Sequence, residues 1–145
     1  TYNSDVRFQC HKNTIHLQRT FFALINMQMG TYTTIGGKTM PEKFVEVAQT
    51  NEIRIGELKQ VTVGDEEIML TNIDGTYYAV SDSCTHAYVS LSESDLEGEE
   101  VECNLHGSRF NVKTGEALLP PAEEPLTVYQ VKLEGSSILV GPPKS

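Results

Sequence analysis

Two short stretches, each carrying one cysteine and one histidine, constrain this chain more than any other feature of its sequence. The first is Cys84-Thr85-His86, and the second is Cys103-Asn104-Leu105-His106-Gly107. These four residues are the only cysteines and histidines in the sequence from Met40 onward. If they form one site, the fold must bring two separate loops together.

The pairing of residue types within each loop points to two metal ions. When two such loops face each other, both thiolates can bind one iron and both imidazoles the other, which is the ligand set of a Rieske [2Fe-2S] cluster. Replacing two anionic ligands by neutral ones raises the reduction potential above that of a four-cysteine cluster. The predicted ligands are therefore Cys84, His86, Cys103 and His106. Two alternatives stay open: a structural zinc site, whose cysteines and histidines usually come in separate pairs, and four ordinary core residues.

The stretch from about Phe44 to Val140 resembles the Rieske-type ferredoxins that serve bacterial aromatic-ring dioxygenases. The segments that carry the resemblance are Cys84 to Ala87, Leu91-Ser92, Cys103 to Phe110, Thr114 to Ala117 and Pro120-Pro121. It implies an all-β Rieske fold of small antiparallel sheets, arranged as a sandwich or partial barrel, with a cluster-binding insertion of two loops. Asn104 departs from the family pattern, which usually has proline at this position.

The resemblance also assigns roles to residues around the cluster. Ser108 matches a serine that bonds to sulfur in the high-potential Rieske proteins of respiratory complexes, whereas Phe110 replaces a tyrosine that does the same. Those proteins also brace the cluster with a disulfide whose cysteines have no counterpart here. Hydrogen bonds to sulfur stabilise the reduced state, so we expect a potential in the lower part of the Rieske range.

Three further residues are expected to line the cluster. Pro120 and Pro121 resemble the loop that covers it, and prolines suit such a loop because they carry no amide hydrogen. Gly107 is expected to adopt a backbone conformation, or to allow a close approach to sulfide, that a side chain would prevent. Ordinary turn roles for Gly107 and Ser108, and a plain linker at the prolines, remain the alternatives.

Outside the loops, the alternation of apolar and polar residues predicts strands. In one hairpin, Ile68–Ile73 and Thr76–Val80 flank Asp74-Gly75, the pair that a type I′ turn prefers. In another, the alternating residues 129–133 lead through a turn to residues 138–140. No segment past residue 40 shows a helical stripe longer than two turns, so the domain should be all-β.

Composition divides the chain near residue 40. Residues 1–39 hold four basic residues and one acidic residue, whereas the remainder holds seven basic and nineteen acidic ones. We predict an N-terminal extension over 1–39, with Cys10 as a free thiol, and a Rieske domain over 40–145. A secretory signal and a mitochondrial presequence both fit residues 1–39 weakly. An extension ahead of a domain that begins at Met40 fits them better, because the composition changes abruptly there.

Charge and hydropathy restrict the partners of the chain. A net charge of −9 disfavours nucleic acid and favours basic proteins, and no apolar run is long enough to cross a membrane. Six of the acids fall between the two loops: Glu93, Asp95, Glu97, Glu99, Glu100 and Glu102. This acidic run is either a solvated face or a surface that steers a basic partner.

These features predict an electron carrier and not an enzyme. The sequence shows no glycine-rich dinucleotide fingerprint, and no histidine of the domain is left over for a 2-His-1-carboxylate iron site. As the resemblance implies, the chain would carry single electrons from a flavin-dependent reductase to a terminal oxygenase in the cytoplasm. Two alternatives are the small Rieske subunit of a reductase or oxidase complex, such as nitrite reductase, and a zinc-stabilised interaction module.

Overall fold

The computed structural model describes residues 32–35, 38–41 and 43–145, the first two segments by their backbone alone. Within these residues the strands are β1 (Tyr32–Ile35), β2 (Lys38–Pro41), β3 (Val45–Gln49), β4 (Leu58–Val63), β5 (Glu66–Ile73), β6 (Thr76–Ser81), β7 (Asp95–Glu97), β8 (Glu100–Glu102), β9 (Arg109–Asn111), β10 (Ala117–Leu119), β11 (Val128–Glu134) and β12 (Ser137–Pro143). One short 3-10 helix, Thr50–Glu52, follows β3. Residues 1–31, including Cys10, lie outside the described residues, and the boundary at residue 40 stays a prediction.

The predicted hairpin at Asp74-Gly75 is confirmed. Strands β5 and β6 pair antiparallel from Ile68 opposite Ser81 to Ile73 opposite Thr76. Asp74 and Gly75 have φ angles of 51° and 86°, and positive values at both positions are what a type I′ turn requires. The turn chemistry therefore fixes the register of the two strands that lead into the first loop.

The larger sheet has six antiparallel strands in the order β3-β12-β11-β6-β5-β4. Its two outer strands, β3 and β4, approach each other, so the sheet curls into a nearly closed barrel. Apolar side chains that point inward fill this barrel: Ala48, Ile53, Val63, Ile68, Leu70, Ala79, Tyr129, Ile138 and Val140. This arrangement confirms the all-β prediction.

A second, four-stranded sheet in the order β10-β9-β8-β7 carries the second loop between β8 and β9. It packs on the outer face of β5 and β6. Ile68 and Leu70 face the barrel, whereas Met69 between them joins Val101 and Phe110 in a second core. Because successive side chains of a strand alternate between faces, β5 is buried on both sides and forms the wall that the two cores share.

Among the described residues there is no helix of the length and hydropathy needed to cross a membrane.

Candidate metal centre

Both loops form the same backbone turn. In each, the cysteine N–H donates to the carbonyl five residues later, and the cysteine carbonyl accepts from the N–H four residues later. In the first loop these bonds join Cys84 to Val89 and Tyr88, at 2.8 and 2.9 Å; in the second they join Cys103 to Ser108 and Gly107, both at 2.8 Å. Two equivalent turns thus present their cysteines in the same way.

This turn requires a positive φ angle at its fifth residue. Gly107 has a φ of 71°, in the left-handed region that favours glycine, and Tyr88 occupies the same place in the first loop with a φ of 53°. An added Cβ at Gly107 would meet only Glu102 Oε1, at 3.9 Å. Among the protein atoms, the reason for glycine is therefore the dihedral angle and not a lack of space.

The two cysteines lie together in the second core. Cys84 and Cys103 are both fully buried, and their thiols are free. Burial raises the pKa of the Cys84 thiol above its ordinary value; the hydrogen bond with the neighbouring Cys103 thiol and its charge act in the same direction, while the backbone amides of His86 and Ala87 oppose them. Two buried thiols in contact are suited to binding one metal ion that displaces their protons.

The two histidines lie together at the surface. The rings of His86 and His106 are exposed and meet edge to face, with centroids 4.6 Å apart and planes at 79°. No group of three or more His, Cys, Asp or Glu side chains in the described part of the chain is arranged to hold a single metal ion. The four predicted ligands instead form a buried sulfur pair and an exposed nitrogen pair, and a Rieske cluster takes two protein ligands on each iron.

Each loop also contributes one hydroxyl group to a hydrogen bond with residues 119–124, which form the proline segment. Thr85 Oγ1 donates to the Glu124 carbonyl at 2.9 Å, and the Ala122 N–H donates to Ser108 Oγ at 3.1 Å. Ser108 is fully buried, and its own hydroxyl hydrogen can still donate elsewhere. The segment that contains the predicted Pro120 and Pro121 is thus fastened to both loops, while the two prolines themselves are exposed.

Asn104, at a position where the family usually has proline, donates two hydrogen bonds. Its side-chain amide donates to the Glu93 carbonyl at 2.7 Å, and its backbone N–H lies 3.4 Å from Ser94 Oγ. Proline has neither donor. The substitution therefore adds a link between the second loop and the segment that follows the first.

Much of the acidic run is paired within the domain. Arg109 on β9 lies within 3.6 Å of carboxylate oxygens of Glu97, Glu100 and Glu102, and Lys113 lies 2.5 Å from Glu99. The guanidinium and ammonium pKa values are both raised, first of all by the hydrogen bond to a glutamate. Five of the six acids, all but Glu93, lie on the hairpin formed by β7 and β8, and four of these five are paired with Arg109 or Lys113.

Sequence reasoning did not assign roles to Thr85 or Tyr88. Thr85 lies between the predicted ligands Cys84 and His86, and Tyr88 lies two residues after His86. Hydroxyl groups beside metal ligands commonly form hydrogen bonds that hold neighbouring segments in place. That proximity was the available signal for Thr85. For Tyr88, the signal was its equivalence to Gly107, which becomes visible only when the hydrogen bonds of both turns are known.

Comparison with known proteins gives a consistent family. Residues 43–130 match the family model described as the Rieske [2Fe-2S] domain. The biphenyl dioxygenase ferredoxin subunit of Pseudomonas sp. (strain KKS102) is 41% identical over 98 residues, which cover 67% of this chain and 90% of that protein. The ferredoxin component of the naphthalene 1,2-dioxygenase system of Pseudomonas aeruginosa is 39% identical over 101 residues, which cover 70% and 97%.

A solved structure agrees with these relatives. The ferredoxin of carbazole 1,9a-dioxygenase from Nocardioides aromaticivorans IC177 is 33% identical, with a TM-score of 0.66, and the match covers 69% of this chain and 98% of that one. The buried thiol pair and the exposed imidazole pair fit the cofactor of this family. The chain belongs to the Rieske [2Fe-2S] family: it is an electron-transfer ferredoxin of the kind found in aromatic-ring dioxygenase systems, carries a Rieske-type cluster and is not itself an enzyme.

Proposed function

We propose that Cys84 and Cys103 bind one iron of the cluster and that His86 and His106 bind the other. The observation that carries this assignment is the segregation of the four side chains into a buried thiol pair and an exposed, contacting imidazole pair. Gly107, Ser108, Pro120 and Pro121 complete the surroundings of the cluster in this proposal. When bound, a cluster of this type accepts and releases one electron.

The proposed electron route passes through the histidines. The thiols are enclosed in the second core, whereas the edges of both imidazoles face solvent. An electron exchanged with another protein therefore has its shortest path through His86 and His106. The role of the core is to keep water away from the thiolates, and the role of the exposed rings is to meet a partner.

The proposed partners are a flavin-dependent reductase as the donor and a terminal oxygenase as the acceptor. A solved carbazole 1,9a-dioxygenase structure, described as a complex of reduced oxygenase and oxidized ferredoxin, is 31% identical with a TM-score of 0.67 and covers 72% of this chain, which supports the oxygenase as a partner. A flavin is the natural donor because it can receive a hydride and pass on single electrons. We place the protein in the cytoplasm, where reducing conditions keep cysteines such as Cys84 and Cys103 out of disulfides and available to bind iron.

Exposed apolar side chains on both loops and beside Pro120 provide a contact surface. Tyr88 is 88% exposed, Leu105 is 64% exposed, and Leu119 of the proline segment is 47% exposed. Large apolar groups gathered at one site commonly mark a protein contact. These residues belong to the three segments that meet at the predicted cluster, so a partner that covers them would also cover the two imidazoles.

Acidic residues lie beside this surface. A cavity of about 420 Å³ next to the first loop is lined by Asp65, Glu67 and Glu124 together with Thr85 and Tyr88. A partner with basic groups around an apolar centre would match this distribution of charge. The interaction would be transient, since exposed charges speed association more than they strengthen it.

The test is electron paramagnetic resonance of the purified, dithionite-reduced protein. Mixed nitrogen and sulfur ligation gives a lower average g value than ligation by four sulfurs, and we expect the lower value. Alanine substitution of Cys84, His86, Cys103 or His106 should each abolish the signal and the visible colour, while Cys10→Ala should keep both. A signal of the four-sulfur type, or a colourless protein containing zinc, would contradict the assignment.

A further inference from the structure

The first loop begins beside a buried carboxylate. Asp82 is 1% exposed and lies two residues before Cys84. Its side chain accepts four hydrogen bonds: from Gln60 Nε2 at 2.6 Å, Ser90 Oγ at 2.7 Å, the Ser92 N–H at 2.7 Å and Ser92 Oγ at 3.2 Å. Burial of a carboxylate is unfavourable unless its lone pairs are satisfied, and here every bond is donated to it.

These bonds connect the two ends of the loop. Asp82 precedes the turn that starts at Cys84, and the donors Ser90 and Ser92 follow the turn. The backbone does the same, because the Leu91 N–H donates to the Asp82 carbonyl at 2.7 Å. The carboxylate therefore closes the base of the loop that presents Cys84 and His86.

Other bonds attach this base to the barrel. Gln60 is on β4, and the Asp82 N–H donates to the Glu67 carbonyl on β5 at 3.0 Å. A loop with both ends joined to each other and to two strands has little freedom to shift. The position of its turn is thus set by the sheet and not by the loop sequence alone.

The second loop has a carboxylate in a comparable place but in a different environment. Glu102 directly precedes Cys103, and the Arg109 guanidinium donates to it from the other end of the loop at 2.8 Å. Both side chains are partly exposed, and Arg109 is shared with two further glutamates. Glu102 is held by an ion pair at the surface, whereas Asp82 is buried and depends on neutral donors.

We infer that Asp82 is a positioning residue for the cluster: by closing the base of the first loop it fixes Cys84 and His86 in the places that bind iron. This inference rests on the proposed function. Asp82 would act through the loop backbone, since its side-chain bonds go to Gln60, Ser90 and Ser92 and not to a predicted ligand. Its acceptor oxygens, and not its volume, would be the property that matters.

The test compares Asp82→Ala and Asp82→Asn with the wild-type holoprotein. Alanine removes all four acceptor bonds, whereas asparagine keeps the volume and one acceptor oxygen. The readouts are the rate at which visible absorption decays in the presence of an iron chelator and the g values of the reduced cluster. We expect about tenfold faster cluster loss in Asp82→Ala, the lower end of the range for groups that support metal ligands, an intermediate rate in Asp82→Asn, and shifted g values in both.

Glu93→Gln is the matched control, because it also removes one negative charge but from an exposed side chain between the two loops. It should match the wild type in cluster retention and g values. Variants of Asp82 that behave like Glu93→Gln, or that only unfold at a lower temperature with unchanged g values, would overturn the inference. If Asp82→Ala does not fold, Asp82→Asn decides by the same criteria. A wild-type protein without a Rieske-type signal would instead overturn the proposed function.

Discussion

Ser108 links the second loop to the proline segment, and its removal has a calculable effect. The Ala122 N–H donates to Ser108 Oγ at 3.1 Å, and the two residues are 5% and 0% exposed. In Ser108→Ala this amide would stay buried without an acceptor, which costs about 1–3 kcal/mol. The segment should therefore open about 5 to 150 times more often.

Hydrogen–deuterium exchange of the oxidised holoprotein measures this opening directly. We expect the peptide that contains Ala122 to exchange faster in Ser108→Ala by the factor given above. Thr85→Val is the matched control, because it removes the other hydroxyl bond to the same segment, where the Glu124 carbonyl is exposed and water can replace the lost donor. Its effect should be smaller. Equal exchange of Ala122 in Ser108→Ala and the wild type would refute the reasoning.

The same variant tests a second role of Ser108. Its oxygen accepts from Ala122, which leaves the hydroxyl hydrogen to donate to a cluster or ligand sulfur. Loss of that donor would destabilise the reduced state, so the midpoint potential of Ser108→Ala should fall. An unchanged midpoint, together with faster exchange, would limit Ser108 to fastening the proline segment.

Three further predictions concern the backbone, the thiols and the surface charge. In thermal unfolding, Gly115→Ala should lower the free energy of unfolding by about 1–3 kcal/mol more than Gly135→Ala does. Both glycines have positive φ angles, but only at Gly115 would an added Cβ lie 2.4 Å from the Leu126 carbonyl oxygen. Equal losses of unfolding free energy in the two variants would contradict this clash. Reconstitution of the cluster should be more complete at about pH 8.5 than at about pH 7. The raised pKa of the Cys84 thiol means that this thiol must release a proton when it binds iron. A reconstitution yield that does not depend on pH would contradict this prediction. The rate of electron transfer to a terminal oxygenase, measured by stopped-flow absorption, should fall as salt is added. Salt screens the attraction between the acidic surface and basic groups of the partner. A rate that does not depend on salt would leave the acidic residues with a role in solubility only.

The parts of the fold that sequence could predict are those decided by local chemistry. Asp74-Gly75 specifies its turn through positive φ angles, and the alternation on either side specifies the paired strands. The two loops were recognisable because few other arrangements of cysteine and histidine satisfy the same spacing. Both kinds of signal are contained within a few consecutive residues.

The parts that sequence could not predict depend on tertiary contacts. The strands β7 and β10 are three residues long, and the acids of β7 indicate a solvated surface more strongly than a strand. Asp82 carries no signal of burial in its own segment, since its donor Gln60 lies on a strand distant in sequence. Burial of both faces of β5 likewise follows from a second core that the insertion supplies.

The equivalence of the two turns explains why their histidines are not equivalent. One residue separates Cys84 from His86 and two separate Cys103 from His106, although both turns close with the same hydrogen bonds. The histidines therefore occupy the third and fourth positions of matching turns. Their rings meet edge to face, with planes at 79°. The extra residue before His106 is Leu105, whose side chain is 64% exposed. The offset in spacing thus places the exposed side chain of Leu105 directly before His106, where a partner protein would make contact.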